Sequence, residues 1–139
     1  MAQGAAGRCQ VNGPADISGQ TIAAVATAPG PAGIAIVRIS GPEAWPVAAR
    51  VVRTPNPLPD WNAAVGRALH VRFVHPISSE ALEDGLLLVF RAPHSYTGED
   101  VVELHCHGGA LVAHLTLQEL LAAGCRLAEP GEFSQRAFL

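Results

Sequence analysis

The chain has 139 residues, 49% of them hydrophobic and 15% charged, with a formal net charge of −3. This composition supports one packed domain and excludes a disordered chain. All nine cations are arginines scattered along the sequence, which leaves no lysine for Schiff-base, phosphate-loop or general-base chemistry and no basic face for gripping nucleic acid by its phosphates.

No apolar run reaches the ~20 residues that a bilayer span requires, and the opening MAQGAAGRCQVNGPADISG lacks the apolar core of a secretory signal. The expectation is a cytoplasmic protein with no membrane partner. Residues 1–19 read as a flexible extension, in which Gly4, Gly7 and Gly13 oppose a helix. Thr21–Thr27 is the first predicted strand, followed by the turn-forming cluster Ala28-Pro29-Gly30-Pro31-Ala32-Gly33. Ile34–Ser40 is a strand by its β-branched content. Its alternation sets Ile34, Ile36 and Arg38 on one face, and Ala35, Val37 and Ile39 on the other. An arginine in line with two isoleucines is either a strand-end residue reaching for water or an anion-binding group at the edge of a pocket.

A helix is predicted from Ser40 to about Val52, provided that Pro46 falls in its first turn. Thr54–Gly66, with Pro55, Pro57 and Pro59, reads as loop. Arg67–His75 and Leu82–Arg91 read as two antiparallel strands, the second carrying GLLLVF, a run suited to a central strand covered on both faces. Val101–His107 is the next strand. Ala110–Ala123 is a helix closed by Gly124, with Leu111, Leu115, Leu117, Leu120 and Leu121 expected against the sheet. Cys125–Ala128 reads as a short strand, Pro130-Gly131 breaks the chain, and SQRAFL begins a helix that is cut off as in a fragment of a longer protein. The fold class is α+β, a mixed, largely antiparallel sheet packed with helices.

Alternation in VVELHCH gives Val102, Leu104 and Cys106 to the core, and Val101, Glu103, His105 and His107 to the other face. Such a strand has one solvated face or lines a site. The preceding loop, with Ser95, Tyr96, Thr97, Glu99 and Asp100, and the following Gly108-Gly109 favour a site. Ser95 is expected to brace its loop through turn-type hydrogen bonds. Glu103, His105 and His107 would serve a metal-dependent enzyme only with further ligands, and His70, His75, His94 and His114 have no diagnostic spacing for that role. Cys9, Cys106 and Cys125 form no CxxC pair, and the last two read as small core residues. Phosphate-loop, GxGxxG and GxSxG motifs are absent.

Taken in order, TIAAVATAPGPAGIAIVRISGP, SYTGEDVVELHCHGG and RLAEPGEFSQRAFL resemble the three motif blocks that open the MnmE (TrmE) family of tRNA modification GTPases, over about residues 20–139. The resemblance implies a folate-binding and dimerisation domain over 20–128, similar to the aminomethyltransferase-type tetrahydrofolate-binding domain. Residues 129–139 then begin the connection to a helical domain. It implies that Arg38 and Glu103 bind a tetrahydrofolate derivative, 5-formyl- or 5,10-methylene-tetrahydrofolate, with Tyr96, Thr97, His105, His107, Gly108 and Gly109 in support. A third contact in the family is a lysine that would lie beyond Leu139. Catalytic residues and a metal site are not expected in this segment. GTP, potassium and magnesium belong to a GTPase domain elsewhere in the family protein, which forms a homodimer and works with the flavoprotein MnmG on carbon 5 of the wobble uridine (U34) of tRNA. Pro31-Ala32 departs from an arginine-glycine pair common in the family. A stand-alone metal-dependent enzyme and a purely structural dimerisation domain remain the alternatives.

Overall fold

The computed structural model describes residues 19–27, 33–54, 60–75, 78, 80–107 and 110–138. The expected extension, apart from Gly19, and the Pro31-Ala32 turn lie outside them. In chain order the elements are β1 (Ile22–Val25), β2 (Ala35–Ser40), α1 (Ala44–Ala48), β3 (Val52–Arg53), α2 (Trp61–Ala64), β4 (Ala68–Val74), β5 (Ala81–Phe90), β6 (Val101–Cys106), α3 (Ala110–Ala122), β7 (Arg126–Leu127) and α4 (Glu132–Phe138). The strands form one sheet in the order β3-β4-β5-β6-β2-β1-β7, antiparallel throughout except for the parallel pair β1–β7. The α+β class and the mixed, largely antiparallel sheet are therefore as the sequence predicts.

One face of this sheet makes the core. Val37 and Ile39 of β2, Val102, Leu104 and Cys106 of β6, Leu87 and Val89 of β5, and Val71 and Phe73 of β4 are buried there together with residues of α1 and α3. The predicted alternation of β2 and β6 holds on this side. β5 differs from expectation: Gly85, Leu87 and Val89 are buried, but Leu86, Leu88 and Phe90 only partly. The second face carries polar groups and is only partly covered by the described residues.

Three helical expectations are corrected. The helix predicted from Ser40 to Val52 is confined to Ala44–Ala48, with Pro46 in its first turn as required, and hydrogen-bonded turns carry the chain on to β3. Its start is fixed from another element: the Thr21 hydroxyl accepts a hydrogen bond from Glu43 N at 2.9 Å. Within the stretch read as loop, Trp61–Ala64 forms α2, capped by Asp60, whose carboxylate accepts from Asn62 N. Trp61 stacks on Trp45 of α1, with ring centroids 5.9 Å apart, and this tertiary contact supports a helix too short to stand alone.

The face of α3 is also rotated from the leucine count. Ala113, Thr116, Leu117 and Leu120 are buried, an i, i+3, i+4, i+7 set, whereas Leu111 is 68% and Leu115 38% exposed. Small residues allow the helix to lie close to β1 and β2, and that approach decides the face over the number of leucines. Gly124, with φ of +114°, ends the helix in the left-handed conformation expected of it.

Among the described glycines, Gly85 has the least room for a side chain. A Cβ there would lie 2.3 Å from the His105 carbonyl oxygen and 2.5 Å from the Phe73 ring. Gly85→Ala is accordingly expected to cost about 1–3 kcal/mol, the range for overpacking, measured as a lower urea midpoint at unchanged slope. An unchanged midpoint would show that Phe73 does not seal β5 at this point.

Candidate ligand site on the second sheet face

The pairing of β6 with β2 and β5 builds the second face in rungs. Ile36, His105 and Leu86 share one rung, and Arg38, Glu103 and Leu88 the next. Residues directly opposite in a ladder project to the same side, so Arg38 and Glu103 are brought together over a floor containing half-buried Ile36, Leu86 and Leu88. Arg38 Nε and Nη2 lie 2.9 and 2.8 Å from Glu103 Oε2. The two side chains are 22% and 15% exposed, so the pair is partly withdrawn from solvent yet reachable. His105 Nε2 lies 3.3 Å from the other oxygen, Oε1.

The remaining sequence-predicted residues divide. Tyr96 joins the site: its ring lies under the Arg38 guanidinium, 5.1 Å from Cζ to centroid. Thr97 is buried and holds the loop to β2, its Oγ1 2.7 Å from Ser40 Oγ. Ser95 braces that loop, as expected, by donating to the Glu99 carbonyl. His107 follows the end of β6 and is exposed, and Gly108 and Gly109 lie outside the described residues. Among the described residues no group of three or more His, Cys, Asp or Glu could hold a metal ion. Burial pushes the Cys106 thiol up to about 12, helped by the nearby Glu83 carboxylate, and Cys125 up to about 11. Neither is a nucleophile near neutral pH, consistent with their reading as core residues.

Residues that sequence reasoning missed come from α4. The Phe133 ring lies 5.4 Å from Arg38 Cζ, and Ser134 Oγ is 3.0 Å from the Tyr96 hydroxyl. Arg136 pairs with Glu99 at 2.9 Å and with Glu132 at 3.3 Å, while Glu99 also accepts from Ser40 Oγ at 2.7 Å. Glu132, 4% exposed, accepts from both Arg126 terminal nitrogens and from Glu129 N. The hydrogen bond from Arg126 chiefly holds its carboxyl below the usual carboxylate range, against the opposing effect of burial. α4 is thus latched onto both the loop and β7. The only local signal was the Glu132–Arg136 spacing of four, which says nothing about what the helix docks on.

A separate recess of about 460 Å³, lined by residues including Gln20, Pro46, Arg50, Gly124 and Arg126, contains neither Arg38 nor Glu103. No described helix is long and apolar enough to cross a membrane.

Residues 21–139 match the family described as GTP-binding protein TrmE N-terminus. The tRNA modification GTPase MnmE of Moorella thermoacetica is 52% identical over 120 residues, covering 86% of this chain and 26% of that protein. The MnmE proteins of Chloroflexus aurantiacus and Stutzerimonas stutzeri are each 51% identical, over 86% of this chain and 25% and 24% of their own length. The chain spans about a quarter of the length of the curated relatives it matches.

The matched span takes in α4, and its attachment is testable. A carboxylate with a depressed pKa stabilises fully above its unfolded value, about 4.3 for Glu. That contribution is lost as pH falls through the depressed folded value. Glu132→Gln should therefore lower stability near neutral pH by about 1.5–3 kcal/mol and flatten the loss of stability on acidification below about pH 4. Wild-type acid sensitivity in the variant would assign that loss to another carboxylate.

Proposed function

The chain belongs to the family of the N-terminus of the GTP-binding protein TrmE, and from that premise we propose that it is the tetrahydrofolate-binding and dimerising part of a tRNA modification GTPase. The observation that carries the reading is the pairing in register of Arg38 with Glu103 on the partly covered sheet face. A carboxylate there can accept hydrogen bonds from the amino and ring N–H groups of a pterin, strengthened by its charge. Arg38 supplies donors for the anionic part of the ligand, and His105 steadies the carboxylate from its other oxygen. Tyr96 and Phe133 offer aromatic surface beside this pair, and Ile36, Leu86 and Leu88 an apolar floor for a flat ring. Bound there, 5-formyl- or 5,10-methylene-tetrahydrofolate supplies a one-carbon unit.

In the whole protein, hydrolysis of GTP with potassium and magnesium is assigned to a separate domain. The proposed role is modification of carbon 5 of the wobble uridine (U34) of tRNA in the cytoplasm, together with the flavoprotein MnmG. The net charge of −3 and scattered arginines support placing the main tRNA-binding surface elsewhere.

Calorimetric titration with 5-formyl-tetrahydrofolate is expected to give saturable binding. Glu103→Gln should weaken it about tenfold or more, as loss of a charge-assisted hydrogen bond does, while the far-UV spectrum stays that of the folded domain. Absence of heat from folded protein would favour a purely structural module, and a stoichiometric metal in the purified protein would favour a metal-dependent enzyme. Sedimentation should show a homodimer. A monomer persisting at high concentration would contradict the dimerising role.

A further inference from the structure

We propose that the guanidinium of Arg38 is a built-in stand-in for the ligand. Both of its donors rest on Glu103 Oε2, one of the two oxygens that the 2-amino group and adjacent ring N–H of a pterin require, so that binding must turn Arg38 away. The inference rests on the folate reading of this site and adds a displacement step to it.

The argument begins with acceptor capacity. An ionised carboxylate has about four lone-pair positions, two on each oxygen. Arg38 Nε and Nη2 both end on Glu103 Oε2, at 2.9 and 2.8 Å, and His105 Nε2 faces Oε1 at 3.3 Å. Oε2 is full and Oε1 is half used. The amino and neighbouring N–H of a 2-amino-4-oxopyrimidine ring form a two-pronged edge that places one donor on each carboxylate oxygen, as a bidentate guanidinium does. That edge cannot engage Glu103 while Arg38 keeps both of its donors on Oε2.

Shape gives the second argument. Guanidinium and pterin are both planar and present N–H donors at their edge, and Arg38 lies over the rings of Tyr96 and Phe133. These are surfaces that a flat heterocycle would use. The displaced arginine also has somewhere to go. Glu99 is committed to Arg136 and Ser40, and the folate tail carries carboxylates with which the released cation can pair. Arg38 then serves the two ends of the ligand in opposite ways, competing with the ring and attracting the tail.

A protein whose binding-competent state is only partly populated binds its ligand with an affinity reduced by that fraction. Removing the stand-in should therefore separate ring from tail. With Arg38→Met, which keeps the apolar stem, 6-methyl-tetrahydropterin is expected to bind roughly tenfold tighter than to the wild type, and 5-formyl-tetrahydrofolate more weakly. Equal or weaker binding of the tail-less pterin to Arg38→Met, with Glu103→Gln still weakening binding, would overturn the stand-in and leave the folate site intact. Tail-less pterin binding that ignores Glu103→Gln in both backgrounds would overturn the folate reading itself. Should Arg38→Met not fold, the wild type carries the test by NMR. The Arg38 Nε–H resonance is expected to be protected in the free protein and to lose that protection at pterin saturation; a resonance unmoved at saturation rejects displacement.

Discussion

A slip of one residue between β2 and β6 would turn Arg38 into the core and set Val37 or Ile39 opposite Glu103. The observed register, Arg38↔Glu103, is therefore the constraint on which the rest of the second face depends. It is held from both ends. On the core side Val37, Ile39, Val102 and Leu104 are fully buried and could not change faces. At the end of β2, Gly41 has φ of +137° and donates to the Asp100 carbonyl, and a Cβ on it would meet Thr21 Cα at 2.6 Å. Only glycine allows the turn to close this tightly against β1.

The two faces then divide the work. One buries apolar side chains against α1 and α3 and supplies stability. The other holds a charged pair at intermediate burial, where attraction is stronger than in open solvent and neither partner is cut off from an incoming molecule. Loop 91–100 and α4 make the partial roof, and their mutual ties through Ser40, Glu99, Arg136 and Glu132 hold Tyr96 and Phe133 against Arg38. These buried and half-buried polar groups satisfy one another, which gives the loop a defined position without a covering layer of apolar residues.

The sequence-level reading succeeded where pattern and local chemistry agree. β2 follows from its β-branched content and β6 from the alternation of apolar and ionisable residues, which also put Glu103 and His105 together on one face. It failed where a distant contact decides. Pro55, Pro57 and Pro59 spoke for loop, yet Trp61 finds Trp45 and a short helix forms. Leu111 and Leu115 suggested the buried stripe of α3, yet Ala113 and Thr116 allow the closer approach. Strand pattern alone leaves Arg38 between a solvent-seeking and a ligand-binding role, which only the family resemblance decides, because nothing local says that residue 103 will lie beside it. Phe133 was invisible for the same reason. A pair 65 positions apart in the chain is a product of sheet order, and sheet order is not written in any single segment.

The central claim is that this pair, rather than the recess beside Arg50 and Arg126, receives the reduced folate. Its most direct test is a crystal structure of the protein soaked with 5-formyl-tetrahydrofolate. The account predicts the pterin edge on both carboxylate oxygens of Glu103, beside Tyr96 and Phe133, with Arg38 turned toward the tail. Ligand density in the other recess, with the Arg38–Glu103 pair unbroken, would contradict it.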